Sequence, residues 1–237
     1  MGRGDVPPLR SLPRVFVPGA DTAGPIELPQ DEVDKLRKVL RLSSGATIAI
    51  LPDDGSIIRC ELQGHRAVPI DIHWPVVEAG LALTVAQALP KGEKIDEIVR
   101  ACTEIGVARF LLFPSERTVV KWDEKKVVDR LRRLTTIARE AAELSFRTRI
   151  PKVEWRSGLK EVLSENLEAV VLSEVEGISP TLKPKGDKMT IVVGPEGGWA
   201  PRELEQIGDR GVTLGPRVLR VDHAAPAAAA ILLLSAP

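Results

Sequence analysis

The sequence predicts an α/β protein in two parts: a small β-rich domain over residues 1–77 and a parallel-sheet domain over residues 78–237. Three observations predict it. The first third carries short alternating or apolar runs punctuated by turn residues, with one helical pattern among them. From residue 81 onward, strand-like and helix-like segments alternate. The strand segments of that second part are almost continuously apolar, as in a sheet buried on both faces by helices.

Composition agrees. The 237 residues are 43% apolar and 28% charged, with a formal net charge of +0. Those values exclude a disordered acidic or basic tail protein, a collagen and a disulfide mini-domain. Neutrality argues against a uniformly basic nucleic-acid binder but leaves the charge distribution open. The two cysteines, Cys60 and Cys102, lack CxxC spacing, so no cysteine zinc site or disulfide framework is expected. His65, His73 and His223 suggest no metal cluster either. Residues 1–13 hold charges and prolines but no apolar signal core. The longest apolar run, 224–234, is broken by Pro226 and is too short to span a bilayer. A cytoplasmic protein is the expectation.

In chain order, strands are expected at 15–17, 47–51, 57–62 and 70–72, with Pro52-Asp53-Asp54-Gly55 turning a hairpin. A helix over 31–42 would present Val33, Leu36, Val39 and Leu40 on one face, with Asp31 as N-cap. Residues 75–80 read as the boundary. Beyond it, a strand at 81–86 precedes a helix at 93–105, which Gly106 stops. An apolar strand at 107–113 ends at Pro114, and an Arg- and Ala-rich helix covers 125–143. Strands at 167–172 and 190–193 follow, then a helix at 201–207 opening on Pro201. A strand at 212–214 and a helix at 224–234 close the chain.

In such a sheet, ligands sit beyond the carboxyl ends of the strands. Two loops there stand out. Gly194-Pro195-Glu196-Gly197-Gly198 joins a strand to the 201–207 helix, and Leu214-Gly215-Pro216-Arg217-Val218-Leu219-Arg220 leads into the last helix. Glycines allow close backbone approach and positive φ, and helix starts offer free N–H groups. A tight strand-to-helix turn is the plain alternative for either loop alone. Neither is a GxGxxG or a P-loop, which disfavours a Rossmann dinucleotide enzyme or an NTPase.

Together these loops resemble the RsmE family of SPOUT-class methyltransferases. Further stretches resemble it in the right order: Arg14-Val15-Phe16-Val17, Lys91-Gly92-Glu93-Lys94, Thr103-Glu104-Ile105-Gly106-Val107, Ser115-Glu116-Arg117-Thr118-Val119 and Arg139-Glu140-Ala141-Ala142-Glu143-Leu144-Ser145-Phe146-Arg147. The resemblance implies methylation of N3 of a uridine in 16S ribosomal RNA, free or within the assembled small subunit, with S-adenosylmethionine as methyl donor. It also implies an N-terminal PUA-like barrel, a C-terminal trefoil knot and a homodimer through the knotted domain. Knots are rare, and local patterning alone would not propose one. Carried over by motif, the cofactor would lie against Leu172, Ser173, Glu174, Gly194, Pro195, Glu196, Gly197, Gly198, Leu214, Gly215, Val218, Leu219 and Arg220. The sequence departs from the family pattern at Leu144, where Gln is usual, and at Asp222-His223, where Glu-Thr is usual.

Methyl transfer to N3 requires in-line alignment, removal of the N3 proton and stabilisation of charge on the uracil oxygens. Arg117, Arg147 and Arg220 are the candidate cations; Glu196 and Asp222 are the candidate proton acceptors. The structural alternatives are an Arg220 that pairs with Asp222 or caps a turn, a Glu196 bonded to a backbone N–H at its own turn, and solvated arginines at 117 and 147. Trp199 is expected to pack beside the cofactor loop. Residues 117–149 hold ten Lys/Arg against five acids, a basic stretch on a neutral chain. Arg14, Lys121, Arg139 and Arg149 are the expected RNA contacts. With 4 Phe, 4 Trp and no Tyr, aromatic stacking platforms are disfavoured. A non-catalytic RNA-binding or ribosome-assembly factor on the same fold is the alternative, motivated by Leu144 and Asp222-His223.

Overall fold

The computed structural model describes residues 7–173 and 181–234. The chain forms two compact units. One holds the residues up to Glu78 together with Ala142–Ile150; the other holds Ala79–Ala141 and the chain from Pro151 onward. The expected boundary at 77/78 falls one residue earlier, and the return of 142–150 to the first unit has no counterpart in the sequence reading.

The first unit contains β1 (Arg14–Phe16), β2 (Ile26–Glu27), α1 (Gln30–Asp34), β3 (Thr47–Leu51), β4 (Ile57–Gln63) and β5 (Arg66–His73). They form one sheet in the order β1-β3-β4-β5-β2, antiparallel except for the β1–β3 pair. Val15, Ile48, Ile50, Ile58, Cys60 and Leu62 bury one face against Val33 and Leu36. Burial pushes the Cys60 thiol up to about 12, as an inert packed cysteine requires.

The expected 31–42 helix is corrected. Pro29 caps it instead of Asp31, and α1 gives way to a wide turn over Lys35–Val39, in which Leu40 N–H donates to Lys35 O. That wide turn breaks the 3.6-residue phase. Val33 and Leu36 stay buried, whereas Val39 and Leu40, expected on the same face, are exposed.

Residues 142–150 are bound into this unit by charge. The buried Glu143 accepts Phe16 N–H (3.1 Å) and pairs with Lys35. Glu78 accepts Arg147 Nη2 (2.7 Å), Arg147 Nε (3.1 Å), Thr148 N–H (2.8 Å) and Arg149 N–H (3.1 Å).

The second unit contains β6 (Ala82–Ala88), α2 (Lys94–Ile105), β7 (Arg109–Phe113), α3 (Glu124–Leu144, its last turn in the first unit), β8 (Lys152–Trp155), α4 (Leu159–Glu165), β9 (Val170–Leu172), β10 (Lys188–Val193), α5 (Pro201–Ile207), β11 (Gly211–Val212) and α6 (Val221–Leu233). The sheet is wholly parallel, in the order β11-β9-β10-β6-β7-β8. Leu83, Val85, Ile191 and Val193 pack under α2, α3 and α6. Ala86, Ala88, Val171 and Val192 pack against α4 and Ile207. Helices thus cover both faces, as the continuous apolar strands predict. Gly106 ends α2 at φ +119°, a left-handed stop that suits glycine.

Three expectations shift here. β8 and α4 are additions to the expected elements: Lys152-Val153-Glu154-Trp155 alternates polar and apolar residues, a pattern too short at four residues to stand out. β9 begins at Val170 rather than 167, leaving Leu167 exposed. Finally, α6 begins at Val221 rather than 224, so Pro226 falls inside the helix and removes one backbone hydrogen bond.

Candidate active site

The strand order gathers distant loops. β10 lies between β9 and β6, so the loops after β9, β10 and β11 open at one end of the sheet, beside those after β6 and β7. There the end of β9 and the segments after β6, β7, β10 and β11 line a pocket of about 990 Å³, within the size range of small-molecule sites.

The loop after β10 forms one wall. Gly194, Pro195, Glu196 and Gly198 line the pocket. A Cβ on Gly194 would stand 3.1 Å from Trp199 Cε2, so only glycine lets the indole lie against the strand end. Trp199 is buried and donates its Nε1–H to Leu172 O (3.1 Å), tying this loop to the end of β9. Sequence reading placed Trp199 beside the loop; its lining position and its bond are additions.

Glu196 faces cations. It accepts Lys94 Nζ (2.7 Å) and Lys91 N–H (3.1 Å) from the segment after β6. Burial opposes ionisation, but the Lys94 ammonium and the backbone N–H groups outweigh it and hold the carboxyl below its usual range. Glu196 thus interacts with its own backbone N–H, the plain alternative for it, and adds Lys91 N–H and Lys94 from outside its loop. Lys94 itself lines the pocket; sequence reading quoted it as part of a motif but gave it no site role.

Arg117 follows β7 and lines the pocket, donating Nη1–H to Gly197 O (2.8 Å). Gly197 does not line the pocket; a Cβ there would meet Arg117 Cβ at 3.3 Å. Behind Arg117 stands Glu203, buried at the start of α5. It accepts Ser115 Oγ–H (3.1 Å), Glu116 N–H (3.0 Å) and Ala200 N–H (2.9 Å). Sequence reading missed Glu203. The signal was present: an acid at the third helical position, two residues after Pro201, the second half of a capping box. The N-cap half is lost, because Ala200 has no side-chain acceptor.

The remaining wall comes from the loop after β11. Leu214, Gly215, Val218, Leu219 and Arg220 line it, joined by Thr213, Pro216, Arg217 and the α6 residues Val221 and Ala224. Gly215 sits at φ +123°, and its N–H donates to Thr213 Oγ1 (3.1 Å). Arg220 pairs with Asp222 (Nη2–Oδ2 3.1 Å), and His223 lies 3.7 Å from the same oxygen. Burial would raise the Asp222 carboxyl, but its own backbone N–H and Arg220 bring it below the usual range. Leu172 and Ser173 complete the pocket at the end of β9. Glu174 lies outside the described residues.

The expected polar residues do not all meet here. Arg117, Glu196 and Arg220 line the pocket; Asp222 reaches it through Arg220. Arg147 belongs to the first unit, where its buried side chain clasps Glu78. Of the expected RNA contacts, Lys121 is exposed ahead of α3, and Arg139 is half-buried on that helix. Arg149 is exposed, with its guanidinium on the carbonyls of Asp53 and Asp54. Arg14 donates to Glu143 O (2.7 Å) and Leu144 O at the end of α3, and its guanidinium lies 5.3 Å from the Phe146 ring centroid. A cation on the last carbonyls of a helix is a favourable C-terminal partner.

Fold and site together define a parallel α/β domain with a pocket at the carboxyl ends of its strands, lined by the loops that follow them. A family model described as RNA methyltransferase domain matches residues 77–233. Ribosomal RNA small subunit methyltransferase E of Bacillus subtilis is 34% identical over 82% of this chain and 84% of its own length. The protein of that name from Mycobacterium bovis is 32% identical over 88% and 86%. Among solved structures, ribosomal RNA small subunit methyltransferase E of Neisseria gonorrhoeae bound to S-adenosyl methionine superposes with TM-score 0.81 at 28% identity, covering 92% of this chain and 95% of that one. A Legionella pneumophila protein solved with bound SAM shares the fold, with TM-score 0.84 at 24% identity over 93% and 96%. The chain belongs to the RNA methyltransferase family and, within it, to the ribosomal RNA small subunit methyltransferase E family.

Proposed function

We propose that this protein methylates N3 of a uridine in 16S ribosomal RNA, using S-adenosylmethionine. The observation that carries the reading is the pocket: Leu172 and Ser173 at the end of β9 and the loops after β10 and β11, which resemble the RsmE motifs, line one space of about 990 Å³. The residues suit the donor. Main-chain groups of the 194–198 and 214–220 loops offer hydrogen bonds, and Leu172, Val193, Leu219 and Val221 offer apolar surface for an adenine-like ring.

When bound, S-adenosylmethionine supplies an activated methyl group. The chain's task is then alignment and charge. Arg117 spends one N–H on Gly197 O, and its remaining donors have no protein partner among the described residues. They are placed to stabilise negative charge growing on a uracil oxygen. Arg220, oriented by Asp222, does the same from the opposite loop. Glu196 and Asp222 are both ionised near neutrality, the form that accepts a proton. Their depressed pKa values make them weak bases, so alignment and the arginines carry more of the rate. Arg147 we assign to holding the first unit together.

RNA would be held by cations of the 117–149 stretch, Lys121, Arg139 and Arg149 among them, with Arg14 supporting the end of α3. The first unit we read as a PUA-like barrel and the second as a knotted SPOUT domain. Support for the knot comes from β10 lying between β6 and β9, and from α6 returning from edge strand β11 to lie on β6 and β10. A homodimer through the second unit, acting in the cytoplasm on rRNA or the small subunit, completes the proposal. Among the described residues no helix is long and apolar enough to cross a membrane.

The test is nucleoside mass spectrometry of 16S rRNA from a strain lacking the gene. Loss of 3-methyluridine, restored by the gene, is expected. Unchanged 3-methyluridine would reject the assignment and favour a non-catalytic assembly factor.

A further inference from the structure

Glu203, in the second unit, accepts three hydrogen bonds, two of them from across the sheet end. It is 3% exposed and belongs to the first turn of α5. A capping role explains only the bond from Ala200 N–H. The other two donors, Ser115 Oγ–H and Glu116 N–H, come from the loop after β7. β7 and β10 are separated by β6, so Glu203 bridges the end of the sheet over an intervening strand.

The next residue along that loop is Arg117, which returns the connection by donating to Gly197 O. Residues 115–117 and 197–203 therefore form a closed circuit: Glu203 grips 115 and 116, and Arg117 grips 197. The circuit leaves little slack, with the would-be Cβ of Gly197 3.3 Å from Arg117 Cβ. A buried carboxylate is retained at a desolvation cost, which full satisfaction by three donors offsets.

We infer that Glu203 is a positioning residue: it fixes the Ser115–Glu116 backbone and through it sets the Arg117 guanidinium against the pocket. The inference rests on the proposed methyl transfer for its kinetic consequence, though not for its structural one. Small displacements of a charge-stabilising group lower rate steeply.

Two readouts test it on the full-length protein. The first is hydrogen exchange at residues 115–118 in wild type, Glu203→Gln and Glu203→Ala, with thermal unfolding showing that the variants are folded. Glu203→Gln keeps the shape but replaces one acceptor oxygen by an NH2 donor. The amides of Glu116, which donates to Glu203, and of Thr118, which donates to Ser115 O, should exchange at least tenfold faster in the variants; unchanged exchange in a folded variant overturns the inference. The second is a double-mutant cycle on methyl transfer to 16S rRNA, with Glu203→Gln, Arg117→Ala and the pair. Glu203→Gln should slow transfer by about 10- to 100-fold, with affinity for S-adenosylmethionine within about twofold of wild type. The double variant should be no slower than Arg117→Ala alone. Multiplicative losses, or a matching loss of S-adenosylmethionine affinity, would show a role not acting through Arg117 and overturn it. A wild-type protein that transfers no methyl group would reject the proposed function instead, and the exchange measurement would then decide the positioning claim alone.

Discussion

Trp199 donates its indole N–H to the carbonyl of Leu172 across 3.1 Å, so the loop after β10 is tied to the last residue of β9. The bond depends on Gly194, since a methyl group there would press on the indole at 3.1–3.2 Å. Gly194→Ala should displace Trp199 and weaken S-adenosylmethionine binding by at least about tenfold, roughly 1.4 kcal/mol. Titration calorimetry on the folded variant checks this.

Glu196 titrates low because Lys94 and two backbone N–H groups favour its charged form over the opposing effect of burial. A depressed folded pKa contributes stability that is present above the unfolded value of about 4.3 and is lost as pH falls through the folded one. The Glu196–Lys94 brace should therefore hold throughout the neutral range and release only in acid. Glu196→Gln should lower activity but leave the shape of the rate profile between about pH 6 and 8 unchanged. A limb of that profile that vanishes in Glu196→Gln would make Glu196 the titrating base.

Arg147 and Glu78 form a clasp in which the arginine side chain is 6% exposed. Removing one partner strands the other. Arg147→Met should cost about 3 kcal/mol of stability, read as a lower urea midpoint. Its remaining folded fraction should retain methyl transfer. A stable but inactive Arg147→Met would instead place Arg147 in the reaction.

Ala200 precedes α5 with extended backbone (φ −73°, ψ 158°) but offers no side-chain acceptor. Ala200→Ser should complete the capping box with Glu203 and add about 1 kcal/mol. Denaturant unfolding of the two proteins checks it.

The second unit was largely legible because its strands are apolar runs between helices with glycine or proline stops, such as the one at Gly106. The pocket was legible as two glycine-bearing loops, but their convergence depends on strand order, which local patterning does not encode. The return of 142–150 to the first unit was not legible: Glu143 and Phe16 are 127 residues apart, and no periodicity links them. Arg147 and Arg14 carried family motifs, yet both are occupied by main chain or carboxylate in that unit. A motif marks a residue's importance without separating contact with substrate from support of the fold. Glu203 shows the converse, an ordinary-looking helix-start acid whose partners come from another loop.

Methyl transfer itself is measured by incubating the purified protein with methyl-labelled S-adenosylmethionine and unmodified 16S rRNA or small subunits. Label should enter the RNA and be recovered as 3-methyluridine at one position, with transfer strongly reduced in Arg117→Ala. Absence of label from both substrates, or label on a different base atom, would rule out uridine-N3 methylation by this protein.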